Sequence, residues 1–94
     1  MTPEQQTLLL TMMKTDIGIK GTTAYDTRFA QILAYSVEKI QEEGATINLA
    51  SVEDQQLTVM YACWIWRRRD NGERMPRMLR YSLNNRILKE KVNG

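Results

Sequence analysis

Residues 57–66 read Leu-Thr-Val-Met-Tyr-Ala-Cys-Trp-Ile-Trp, a stretch whose one polar residue is Thr58 and which ends against Arg67-Arg68-Arg69. Ser51-Val52-Glu53-Asp54 just before it is a helix start, with a capping serine and acids in the first turn. The arginines in the last turn and Asn71-Gly72 beyond them form a helix stop. On a wheel advancing about 100° per residue, Leu57, Met60, Tyr61, Trp64 and Ile65 share one side, while Val52, Val59, Ala62, Cys63 and Trp66 share the other. A helix apolar nearly all round is normally enclosed. Either it is the central helix of a small bundle, or one side packs inside the subunit and the other meets a neighbouring copy. In the second case Trp64 and Trp66 lie on different faces, and Val59, Cys63 and Trp66 become interface residues. The run is about half the length of a bilayer span, so no membrane segment is expected.

Whatever covers this helix within the subunit comes from the same short chain, and the remaining sequence supplies three more helices. Thr2-Pro3-Glu4-Gln5 combines a cap, a proline at the first helical position and a glutamine three residues after the cap. This predicts a first helix to about Lys14, before Gly18 and Gly21 break the pattern. Tyr25, Phe29, Ile32, Leu33, Ser36, Val37 and Ile40 then form a one-sided stripe, predicting a second helix from Thr22 or Thr23 to Glu43, stopped by Gly44. Pro76 opens a fourth, from Arg77 to about Lys91, with Leu79, Leu83 and Ile87 four residues apart. Between the second and third helices, Ala45 to Ala50 alternates, with Ile47 and Leu49 on one side. That segment is either extended, with Ile47 and Leu49 lying beside a neighbouring copy, or looped back over its own helices. The expected fold is all-α, a bundle of about four helices, and 94 residues suit one domain, 1–94.

Chemistry is narrowed by what is missing. The chain has no histidine and a single cysteine, which removes imidazole acid/base catalysis, histidine-based triads, intrachain disulfides and zinc clusters built within one chain. Its five glycines are too scattered for a phosphate loop, so no cofactor and no enzymatic activity are expected. Cys63, among aromatic and aliphatic neighbours, reads as a buried, inert thiol. The pairs Glu42-Glu43 and Glu53-Asp54 sit at helix ends with adjacent side chains diverging, and read as solvated surface. The N-terminus lacks the basic lead and cleavage site of a secretion signal.

Charge is distributed unevenly. Residues 1–66 carry four basic and eight acidic side chains, a net of −4, whereas residues 67–94 carry nine basic and three acidic ones, a net of +6. Arg67, Arg68 and Arg69 fan out at the end of the third helix, and Arg77, Arg80 and Lys91 form a stripe along the fourth. These are the candidates for a phosphate backbone or for another copy's acidic end. With little aromatic interleaving beyond Tyr81 and no base-reading motif, any DNA contact is expected to be sequence-independent. The competing class is a small DNA-binding regulator that uses this basic third.

Several residue groups together resemble the small head-tail connector proteins of tailed phages. These are Met13 to Ile19 after a short first helix, a long helix with Asp26 near its start and Ile40 to Gly44 at its end, and Gln56 to Arg69 with Tyr61-Ala62 and an arginine-rich tail. Met75-Pro76-Arg77-Met78-Leu79-Arg80-Tyr81 and Asn84-Asn85-Arg86 complete the likeness, which spans almost the whole chain. The resemblance implies a non-enzymatic helical subunit that forms a homo-oligomeric ring of about a dozen copies beneath the portal protein. Such a ring extends the DNA channel, docks the tail or a stopper protein, and sits at the head-tail junction of the virion after assembly from the host cytoplasm.

Overall fold

The first and third helices begin where a side chain satisfies a free backbone donor. At the N-terminus the Thr2 hydroxyl accepts from the Gln5 amide at 3.1 Å and the Gln5 side chain accepts from the Thr2 amide at 2.9 Å, a reciprocal capping box with Pro3 as the first helical residue. Helix α1 (Pro3–Ile17) runs three residues past the expected end, because Ile17 packs against the core; Gly18, at φ 87°, then turns the chain out. Helix α2 (Asp26–Glu42) starts later than Thr22 or Thr23. The Thr22 hydroxyl accepts from the Ala24 amide, and Lys14 Nζ donates to the Thr22 carbonyl at 2.6 Å and to Asp26 Oδ1 at 2.9 Å, which holds the approach in a turn. Helix α3 (Val52–Asn71) is capped by the Ser51 hydroxyl and closed by Gly72 at φ 64°. Helix α4 (Arg77–Asn93) follows Pro76, whose carbonyl accepts from the Arg80 amide. This computed structural model describes residues 1–19 and 21–93; Lys20 and Gly94, counted above, lie outside them.

The described residues form one all-α unit with no strand. Helix α3 is its spine. Helices α1 and α2 pack on each other and on one side of α3, where Leu9, Met13, Phe29, Ile32 and Leu33 enclose Val59, Ala62 and Cys63. On the other side of α3, Leu57, Tyr61 and Trp64 meet Leu79 and Leu83 of α4 together with Ile40 and Ala45. The division of α3 into two apolar sides is as its sequence predicts, but both sides are covered by the chain itself. The enclosed arrangement is therefore the one adopted, and Val52 alone of these residues faces solvent.

The segment after α2 forms no strand. Several of its backbone groups are taken up by side chains: Asn48 N–H donates to Asp54 Oδ2 at 2.8 Å, the Gln55 side chain donates to the Leu49 carbonyl, and Arg86 Nη2 donates to the Thr46 carbonyl at 2.6 Å. Ala45 is buried, and Leu49 and Ile47 rest against the first and second clusters respectively. These bonds satisfy part of the segment's backbone within the subunit.

Candidate functional site

The residues expected at an interface separate once the packing is known. Val59 is 0% exposed and Cys63 3%, so both belong to the subunit core rather than to a contact between copies. Burial pushes the Cys63 thiol up to about 11, with Asp16 adding to the shift and Arg67 opposing it. Trp66 is half-buried and engaged at home: its ring lies edge-on to Phe29 at 4.8 Å and to Tyr25 at 5.6 Å, with the Arg69 guanidinium 3.4 Å from its centre. Trp64 faces the opposite cluster, as expected, and its indole N–H donates to the Glu73 carbonyl at 3.0 Å. Ile47 and Leu49 are half-buried, and their outer edges line a depression of about 430 Å³ together with Met1, Ala34 and Val37. A second depression, about 440 Å³, adjoins it at Ala34 and is lined by Leu10, Ala30 and Thr27 among others. Together they make one shallow groove along the outer seam of α1 and α2.

The basic candidates also separate. Arg68 stacks on Trp64 at 4.6 Å, Arg69 covers Trp66 and donates to its carbonyl, and Arg80 pairs with Glu43 at 2.8 Å. Arg67, Arg77 and Lys91 are exposed. The stripe Arg77, Arg80, Lys91 thus lies along one flank of α4, with its middle member tied to the end of α2.

Two features escaped the sequence. The first is a buried ion pair. Arg86 Nε meets Asp54 Oδ1 at 2.7 Å and Arg86 Nη1 meets Glu90 Oε2 at 2.8 Å, with the Asp54 side chain only 3% exposed and that of Arg86 11%. Asp54 is therefore not solvated surface: α4 brings Arg86 over it, while Glu53 remains exposed, 3.0 Å from Lys89. The hydrogen bond to Asp54, then that to Glu90, raises the Arg86 pKa, and the bond from Arg86, followed by Thr46, holds the Glu90 carboxyl below its usual range.

The second is an uncovered apolar stripe. Leu79, Leu83 and Ile87 turn inward on α4, and on the opposite side Met78, Tyr81, Leu88 and Val92 stand 69%, 55%, 60% and 75% exposed. With Asn85 among them, their positions recur at intervals of three, four, three and four, the spacing of a helix-packing seam. Arg77, Lys89 and Lys91 flank the stripe, and α4's one acidic residue, Glu90, is turned toward Arg86. Exposed apolar side chains grouped on one face and rimmed by charge are a common feature of interaction sites.

Among the described residues no helix is long and apolar enough to cross a membrane, and no group of three histidine, cysteine or acidic residues is placed to hold a metal ion. Compared with protein-family models, curated proteins and solved structures, the chain matches none of them.

Proposed function

We propose that the chain is a structural subunit of a phage head-tail connector, assembling under the portal into a ring that extends the DNA channel and docks the tail or a stopper protein. The observation that carries this reading is the apolar stripe on α4. The core is already enclosed by the chain's own four helices, so Met78, Tyr81, Leu88 and Val92 add nothing to the subunit's interior and are explained by contact with another chain. The likeness to connectors supplies the particular assembly, and the exposed Arg67, Arg77 and Lys91 suit weak, sequence-independent contact with DNA threading the ring.

The test is to co-express the chain with the portal protein of the genome that encodes it and to image the product by electron microscopy. A ring of about a dozen copies on the portal is the expected result. A chain that stays monomeric both alone and with the portal sinks the reading. Binding to duplex DNA should weaken with salt and be indifferent to sequence; strong preference for one duplex that persists at high salt would establish the regulator instead.

A further inference from the structure

We propose that the outer stripe of α4 seats in the α1–α2 groove of the next copy. This contact rests on the reading of the chain as a self-assembling subunit and specifies how one copy meets another. The two surfaces match in length: from Met78 to Val92 on α4 and from Thr27 to Gln41 on α2 the chain advances the same number of residues, about 21 Å at the helical rise. They match in shape, since the stripe presents four large side chains while the groove floor carries the small residues Ala30 and Ala34 between Leu10, Val37, Ile47 and Leu49.

Charge selects the pairing. Arg77, Lys89 and Lys91 flank the stripe, whereas no lysine or arginine lines the groove, Asp26 at one end of it is paired with Lys14, and the exposed Glu38 follows the lining residue Val37 on α2. Two α4 stripes facing each other would instead bring like charges together, which is unfavourable. Because α1 and α2 cover one side of α3 and α4 the other, each copy carries one knob surface and one groove surface on different parts of the molecule. Such a heterologous contact propagates from copy to copy and closes into a ring when the rotation allows. One helix of this length buries less than the roughly 1,600 Å² of a standard stable interface, so a single contact is weak, and closure, which gives every copy two, stabilises the assembly.

The test uses two blocked chains. Leu88→Glu spoils the knob and leaves the groove; Ala34→Arg fills the groove and leaves the knob. Circular dichroism confirms that each is folded, with Tyr81→Glu and Ala30→Arg as replacements if either is not. In sedimentation runs over a concentration series, the wild type should assemble, and each variant alone should lose assembly and run as a monomer. An equal mixture of the two should stop at a two-chain species, because one intact knob and one intact groove remain. Val52→Glu, with the same charge change at an exposed site outside both surfaces, should assemble as the wild type does. Assembly of Ala34→Arg at wild-type strength overturns the contact but leaves self-assembly standing. A wild type that remains monomeric at its highest soluble concentration also overturns the contact, and the connector reading is then decided separately by the portal experiment.

Discussion

Replacing Arg86 by methionine tests whether the ion pair between α3 and α4 is as deeply buried as its geometry indicates. The guanidinium meets Asp54 at two points, 2.7 and 3.3 Å, and also reaches Glu90 at 2.8 Å and the Thr46 carbonyl at 2.6 Å. Methionine retains much of the apolar stem but leaves the Asp54 carboxylate, almost without solvent, supported by the Asn48 amide at 2.8 Å. Removing one member of a buried pair costs about 3 to 5 kcal/mol, because the remaining charge is left uncompensated. That is a large part of the roughly 5 to 15 kcal/mol that holds a domain folded. It should lower the melting temperature by more than about 12 °C, given about 4 to 8 °C per kcal/mol at this size. Urea unfolding followed by circular dichroism and tryptophan fluorescence measures the loss, and coincident transitions verify two-state behaviour. The double variant Asp54→Asn with Arg86→Met should lose less than Arg86→Met alone, since asparagine still accepts from the Asn48 amide and carries no charge. A loss below about 1 kcal/mol, the range of an exposed pair, or a double variant less stable than Arg86→Met, would refute the reasoning.

Glu90 is held below its ordinary value of 4.5 chiefly by the Arg86 hydrogen bond, so its contribution to stability is present above that pH and is lost as pH falls through the lower folded value. The urea midpoints of wild type and Glu90→Gln should therefore converge on acidification, and a gap independent of pH would count against the bond. Cys63, buried with its thiol pushed up to about 11, should react with alkylating reagents at neutral pH only as fast as the chain unfolds; rapid labelling of the native protein would contradict the packing. Trp66→Glu should destabilise the subunit by about 3 kcal/mol through lost contacts with Tyr25 and Phe29, and unchanged urea stability with lost assembly would return Trp66 to an interface. Amides in residues 45–50 should be protected from hydrogen exchange already in the monomer, and should lose that protection in Arg86→Met, which removes the donor to the Thr46 carbonyl; protection that appears only on assembly would show that the segment belongs to the contact.

Much of this molecule follows from local chemistry that a sequence displays directly. The Thr2 capping box, the Ser51 cap, Gly72 in the left-handed region and the α2 stripe are determined within a few residues of themselves, and all-α architecture follows from them. The two apolar sides of α3 are likewise a matter of spacing along one helix. What spacing does not contain is which surface meets which. Helix α4 carries two lines at helical intervals, Leu79-Leu83-Ile87 and Met78-Tyr81-Leu88-Val92, and only the tertiary structure decides that the first packs inward and the second is bare. The same holds for Val59 and Cys63, enclosed by α1 and α2 rather than offered to a neighbour, and for Asp54, which reads as a solvated first-turn acid until Arg86, 32 residues later, closes over it. Caps and stripes depend on neighbours three or four residues away. Burial depends on groups brought together across the whole chain, and that is where the subunit core, the buried ion pair and the free face of α4 were settled.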